Sequence, residues 1–326
     1  MKVLGENKTK TVLVTGGAGF IGCYTARNLL EKGYKVVIVD NFNKYYDPEL
    51  KKARINNLLL GLSFKLYRVD IADFKSLEKV FKENSIDIVC HQAAQAGVRY
   101  SLENPFVYQK SNLQGTINVL ECCKAFKVNK LVFASSSSVY GNHQKTPFKE
   151  TDCTDFPISI YAATKKASET LCYSYHSLYK IPMVGLRYFT VFGPWGRPDM
   201  ALFKFTNNIL EGKLIDVYGE GKMSRDFTYI DDIIEGLISS IEEDFDFEIF
   251  NLGHGSPSGL LEFIGIIEKH TGRIAKKRFL PMQKGDVPIT YADISKAKEM
   301  LDWGPKISLR EGISKFIDWY KGYYSV

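Results

Sequence analysis

Three glycines spaced by three, Gly16, Gly19 and Gly22, constrain this chain more than any other feature. They sit in the run Thr15–Gly22, directly after the β-branched stretch Thr11–Thr15 and at the opening of the helical pattern Phe20–Glu31. The order is strand, tight turn, helix. Such a turn needs positive φ at its first residue and a backbone that a diphosphate can approach with no Cβ in between. It also needs a last residue small enough for the helix to lie close on the strand. A glycine triplet alone says little, but Asp40 closes the next expected strand 18 residues after Gly22. A carboxylate there meets the hydroxyls of an adenosine ribose. The pattern points to a bound dinucleotide. Asp40 would repel a 2′-phosphate, so NAD is favoured over NADP, although Lys44 is near enough in sequence to weaken that preference. Ligands in open α/β sheets sit at the C-terminal strand ends. Phe20, Ile21, Asn41, Asp70, Ile71, Gln92, Ala93 and Ala94 are the further residues expected at the cofactor.

The alternation continues beyond the glycine turn. Thr11–Thr15, Lys35–Val39, Phe64–Val69, Ile86–His91, Lys130–Ser135 and Met183–Tyr188 read as strands, with helices over Phe20–Glu31, Phe74–Glu83, Pro105–Lys124 and Tyr161–Tyr179. Several strands are apolar throughout, as a parallel sheet covered on both faces requires. The expected fold is α/β, a Rossmann-type doubly wound parallel sheet with a smaller α/β substrate domain at the C-terminus. After about Thr190 the rhythm loosens into short strands such as Ile215–Tyr218 and Phe227–Ile230 and irregularly spaced helices. Residues 1–189 are thus expected to form the cofactor domain, with a returning segment near 227–253, and 190–326 the substrate domain. No flexible linker parts them, so a shared cleft is expected.

Charge and cysteines narrow the class. The net charge of +6 is spread as single residues and pairs, which implies no nucleic acid; it suits an anionic small substrate or simply a lysine-rich surface. The six cysteines form no C-x-x-C pair and have no His at ligand spacing, so no metal is expected. Most lie in apolar stretches and read as reduced, which fits a cytoplasmic protein. Met1–Lys10 is polar with no apolar signal core, and no run of about 18 apolar residues occurs later, so neither export nor membrane spanning is expected.

The chemistry lies in two further segments. Tyr161 and Lys165 are four apart at the start of a helical stretch and share one face. A free tyrosine, with a pKa of about 10, is a poor base near neutrality, but a neighbouring ammonium favours its phenolate. Taken alone such a pair is more often a surface pair; behind a dinucleotide turn it reads as a general base and its partner. Phe133–Gly141, with four consecutive serines from Ser135 to Ser138, leaves a strand at its ligand-facing end. Any one of these serines could equally be turn filler.

Together these elements resemble the extended short-chain dehydrogenase/reductase superfamily, over essentially the whole chain, and within it the NAD-dependent epimerase/dehydratase family. The resemblance implies that Ser136, three residues before Val139 of Val139-Tyr140-Gly141, hydrogen-bonds the sugar hydroxyl being oxidised. It implies that Tyr161 removes its proton, and that Lys165 holds the nicotinamide ribose and tunes Tyr161. Dehydratases of the superfamily carry Asp-Glu after the catalytic hydroxyl and decarboxylating relatives a Glu; here Ser137 and Ser138 stand there, which favours epimerisation. The segments Gln92–Ser101, Arg187–Ala201 and Pro281–Gln283 are similar to UDP-glucuronate 4-epimerases. UDP-galactose 4-epimerases usually have Asn at the place of Thr190 and Arg at that of Gln283. The resemblance therefore implies C4 epimerisation of UDP-glucuronate to UDP-galacturonate. Epimerisation of UDP-glucose or UDP-N-acetylglucosamine, decarboxylation of UDP-glucuronate, and a non-catalytic NAD sensor are the alternatives. Ser137, Ser138, Thr190 and Arg197 are the expected contacts of the sugar and its carboxylate. Arg99 is either a charged partner of the carboxylate or a structural residue. Arg225 matches the diphosphate-gripping arginine and Asp286 a position near the uridine ribose, each otherwise a surface ion pair. A homodimer through helices 105–124 and 161–179 is also implied.

Overall fold

Val12, Leu13 and Val14 are all fully buried, the two valines in one apolar cluster and Leu13 in another. Val36 and Ile38 likewise enter one cluster, Val37 and Val39 the other. Side chains alternate along a strand, so a strand feeding two cores must be apolar on both faces. That is why these runs show no polar alternation.

The computed structural model describes residues 9–326, so the expectation for the polar stretch Met1–Lys8 lies outside the described residues. Seven strands form one parallel sheet: β1 Thr11–Thr15, β2 Lys35–Asp40, β3 Lys65–Arg68, β4 Ile88–His91, β5 Lys130–Ser136, β6 Met183–Tyr188 and β7 Phe247–Leu252. Their order in space is β3-β2-β1-β4-β5-β6-β7. The expected doubly wound α/β fold is the fold observed. Strand order reverses between β1 and β4, which opens a crevice at their C-terminal ends. Helices α1 Phe20–Glu31, α2 Pro48–Leu58, α3 Phe74–Glu83, α4 Gly115–Ala125, α5 Ile160–Tyr179 and α6 Ile230–Glu242 connect the strands. The chain leaves the sheet at Tyr188, then returns through α6 and β7, which pairs in parallel with β6.

Two stretches depart from the sequence reading. Pro105–Lys124 is not one helix: a short turn at Pro105–Tyr108 runs into a π-helical segment, Gln109–Gln114, before α4. A π segment re-aims its side chains relative to a regular helix. Asn112 uses this to accept from the Gln95 N–H at 2.8 Å and to donate to the Gln95 carbonyl and the Thr164 hydroxyl, both at 3.0 Å. Helix α2 carries no clear apolar stripe. Its start is nevertheless written in Asp47-Pro48, where the Asp47 side chain accepts from the Glu49 N–H at 2.9 Å and proline occupies the first turn.

Beyond Tyr188, helices Ala201–Leu210, Leu260–Thr271 and Leu309–Tyr324 pack together beside a parallel strand pair, Leu214–Tyr218 with Lys276–Leu280. Among the described residues no helix is long and apolar enough to cross a membrane.

Candidate active site

The glycine turn is a close three-way approach of backbone. Gly16 has φ +69°, and its N–H donates to the Val39 carbonyl at 2.7 Å. A Cβ on Gly16 would stand 2.8 Å from the backbone of Ala93, and one on Gly22 only 2.2 Å from the Gly16 oxygen. Neither distance is tolerable between non-bonded heavy atoms. The turn thus leaves a Cβ-free surface at the N-terminus of α1, the shape that a diphosphate needs. At the end of β2 the Asp40 carboxylate accepts from the N–H groups of Ala18 at 3.1 Å and Phe42 at 2.8 Å. The cation beside it is Lys51 of α2, at 3.6 Å and itself buried, whereas Lys44 is exposed. The cation nearest the ribose-binding carboxylate is thus Lys51, of which the amphipathic pattern gave no warning.

From this turn a cleft of about 410 Å³ runs along the C-terminal ends of the strands. Its wall includes Gly16, Gly19, Phe20, Ile21, Gly22, Asp40, Asn41, Asp70, Ile71, Gln92, Ala93 and Ala94 at one end. At the other it includes Ser136, Ser137, Ser138, Tyr161, Lys165, Thr190, Arg197, Arg225 and Asp286. Arg99 is the exception among the sequence-derived residues. Its side chain is about half exposed, stacks over the Tyr218 ring at 4.8 Å and donates to Asp286 at 3.2 Å. Arg99 thus pairs with Asp286, which lines the cleft, and is not itself part of the wall.

Three groups meet where β5 ends. Ser136 is its last residue, and its hydroxyl accepts from the Ser138 N–H at 3.1 Å. Helix α5 starts one residue before Tyr161 because the Ser159 hydroxyl caps it, accepting from the Ala162 N–H at 3.1 Å. That cap sets Tyr161 and Lys165 on the face turned to β5. Burial holds the Tyr161 phenol above its ordinary pKa, while the Ser136 hydroxyl and the Arg197 charge pull it down. Lys165 donates to the Ala134 carbonyl at 2.8 Å. Burial draws its pKa down to about 8, against the opposing effects of the Cys172 thiol and the Glu169 carboxylate. The sequence pairs Tyr161 with Lys165; the structure adds Arg197 as a cation acting on the phenol.

Arg197 reaches this point from the loop after β6. Its Nε and Nη2 grip Asp199, with Nε at 3.0 Å, and the Tyr45 hydroxyl donates to the same carboxylate at 3.1 Å. Arg225 donates to the carbonyls of Ser224 at 2.9 Å and Pro288 at 3.3 Å. Burial lowers its pKa, with Asp286 opposing the shift. The sequence reading missed Tyr45, Tyr46, Lys51 and Asn112. The first three were hidden because the loop and helix after β2 lack a periodic signature, and Asn112 because its π segment reads as ordinary helix. The Tyr108 ring lies edge-on to Tyr161 at 6.1 Å.

Residues 12–253 match the NAD dependent epimerase/dehydratase family. The chain is 49% identical over 310 residues to UDP-glucuronate 4-epimerase of Thermodesulfobacterium geofontis, covering 95% of each protein. It is similar to the crystal structure of the Bacillus cereus UDP-glucuronic acid 4-epimerase in complex with UDP-glucuronic acid and NAD. There the identity is 39% and the TM-score 0.90, over 96% of this chain and all of that one. The UDP-glucose 4-epimerase of Thermotoga maritima with UDP-glucose superposes with a TM-score of 0.89 at 31% identity, over 96% of this chain and 99% of that one. The glycine turn, the Ser136, Tyr161 and Lys165 cluster, and these likenesses over nearly its full length agree: the chain belongs to the NAD dependent epimerase/dehydratase family.

Proposed function

We propose that this protein interconverts UDP-glucuronate and UDP-galacturonate by inverting C4 through a 4-keto sugar, with bound NAD restored in each turnover. The observation that carries the reading is one wall. Ser136, Tyr161 and Lys165 stand in the same cleft as Ser137, Ser138, Thr190 and Arg197, which are hydroxyls and a guanidinium suited to a sugar carboxylate. The likeness to the UDP-glucuronate 4-epimerases of two bacteria supports it.

The Cβ-free glycine turn and Asp40 fit NAD, with Asn41, Asp70, Ile71 and Gln92–Ala94 flanking it. When bound, NAD supplies a reversible acceptor of hydride. The chain's own groups do the rest. Tyr161 takes the proton from the C4 hydroxyl, and Ser136 holds that oxygen by a hydrogen bond. Lys165 would hold the nicotinamide ribose, a role that needs its ammonium. A base so placed contributes about 10²- to 10⁴-fold. Arg225 grips the diphosphate and Asp286 the uridine end, so the keto sugar can turn over while the nucleotide stays fixed. With the other face of the ketone turned to the returning hydride, Tyr161 gives its proton back to the C4 oxygen.

The intermediate is a β-keto acid, which loses CO₂ when its carboxylate bond aligns with the carbonyl π system. Ser137, Ser138, Thr190 and Arg197 hold the carboxylate out of that alignment. Two serines after Ser136, in place of acids, leave no second acid–base pair there for dehydration.

The cofactor unit comprises residues up to 189 with a returning segment near 227–253, and the rest forms the nucleotide-sugar unit. The protein works in the cytoplasm as a homodimer through the segment 105–124 and the helix over 161–179, where Phe106, Tyr173 and Leu178 expose large apolar side chains. The function is tested by offering purified protein UDP-glucuronate, UDP-glucose and UDP-N-acetylglucosamine separately and resolving the products. UDP-galacturonate as the preferred product supports the reading; UDP-xylose, or turnover of the neutral sugars alone, overturns it.

A further inference from the structure

Three successive residues of β5 are tied to one face of α5. The Ala134 carbonyl accepts from Lys165 at 2.8 Å, the Ser135 hydroxyl donates to Glu169 at 2.6 Å, and Ser136 faces Tyr161. The helix positions are 161, 165 and 169, one turn apart each time, so they share one stripe. The middle rung is locked from the next strand. Arg187, the register partner of Ser135 on β6, grips both Glu169 oxygens at 2.9 Å. Its remaining nitrogen donates to the Tyr140 hydroxyl at 3.0 Å. Ser135, Glu169 and Arg187 are all at least nine-tenths buried. A buried ion pair is weak evidence for stability, because well-packed apolar residues of the same volume often do as well. What it supplies here is register, since a bidentate pair has one geometry.

We propose that Glu169, locked by Arg187, is a positioning residue for the reaction: it fixes α5 on the end of β5 so that Tyr161 and Lys165 meet Ser136. This rests on the catalytic roles proposed above for Tyr161 and Lys165. Burial lowers the pKa of Lys165, and Glu169 opposes that fall. The other titratable groups acting on or beside Lys165 are Cys172 on its own helix and His91 on β4, while Tyr161 shares its cleft and Arg187 of β6 pairs with Glu169.

The test is E169Q, which keeps the acceptor for Ser135 and removes the charge, with E169D as the charge-retaining control. Protein labelled with ¹³C at lysine Cε reports the titration of Lys165, its signal identified by loss in K165M. In E169Q the Lys165 midpoint falls below that of the native protein and the alkaline limb of kcat moves down with it. Near neutrality kcat drops on the order of 10- to 100-fold, while KM changes by less than about threefold, as expected when only transition-state geometry is lost. E169D restores the midpoint. If E169Q does not fold, E169Q/R187M removes the unpaired cation and is read in the same way. An unchanged midpoint and kcat overturn the inference. The midpoint does not depend on the substrate, so a native protein that fails on UDP-glucuronate while E169Q shows the fall sinks the functional reading alone.

Discussion

Gly22→Ala is the sharpest probe of the glycine turn, because the atom it adds has nowhere to go. Its Cβ would lie 2.2 Å from the Gly16 oxygen, 2.8 Å from the Gly16 carbonyl carbon and 2.9 Å from the Gly17 Cα. The first distance is about 1 Å inside ordinary contact, and all three neighbours are backbone, so no side chain can rotate away. Either α1 lifts from β1 or the turn opens. Overpacking of this kind costs about 1 to 3 kcal/mol. The displaced element is the proposed NAD cradle itself, so the loss should fall on cofactor binding, weakening it roughly 10- to 100-fold. NAD content of purified protein, measured after denaturation, and NAD affinity of the stripped protein by calorimetry read this directly. Gly265→Ala serves as the control. That glycine lies inside the helix Leu260–Thr271 with no atom within 4 Å of an added Cβ, so the change should stabilise by about 0.5 to 1 kcal/mol. Full NAD occupancy and native affinity in Gly22→Ala would refute the assignment of this turn.

Tyr161→Phe should cut turnover by several orders of magnitude while UDP affinity by calorimetry stays within about twofold; a mild loss removes Tyr161 as the base. Arg197→Met should weaken UDP-glucuronate about 10- to 100-fold with UDP itself little affected, and an equal loss for both ligands would take Arg197 away from the carboxylate. His91, buried between the hydroxyls of Thr15 and Thr116, has its pKa drawn down to about 3 by burial and by the nearby Lys165 charge. The unfolded chain binds that proton near pH 6.5 and the folded one does not. Stability is therefore lost as pH falls from about 6.5 toward 3, by on the order of a few kcal/mol. Urea midpoints at pH 7 and pH 5 should separate more in the native protein than in His91→Gln.

Much of the fold was legible because burial on both faces leaves an unambiguous mark. The apolar runs at β1, β2 and β6 could be little else, and the glycine turn fixed where the crevice would open. What escaped was held by contacts rather than by pattern. Helix α2 lacks an apolar stripe and is announced only by Asp47-Pro48, so Lys51 beside Asp40 went unseen. The π segment around Asn112 is a tertiary choice, made to satisfy the backbone of Gln95. Helix α6 and strand β7 fall inside the returning segment expected near 227–253, but the loosened rhythm there did not resolve them as a helix and a strand. At the site, spacing behind the glycine turn pointed to Tyr161 and Lys165, whereas singling out Ser136 from its three neighbouring serines took the family resemblance. Arg99 and Arg197 could not be ranked from the sequence, because only the fold decides that Arg99 stacks on Tyr218 while Arg197 enters the wall with Tyr161.

The central claim is a closed cycle in which the hydrogen removed from C4 returns to C4. Purified protein is incubated with UDP-glucuronate carrying deuterium at C4, without added NAD, and the products are examined by mass spectrometry and proton NMR. The account expects UDP-galacturonate with the deuterium retained at C4. Deuterium washed out to solvent, or UDP-xylose as the main product, would contradict it.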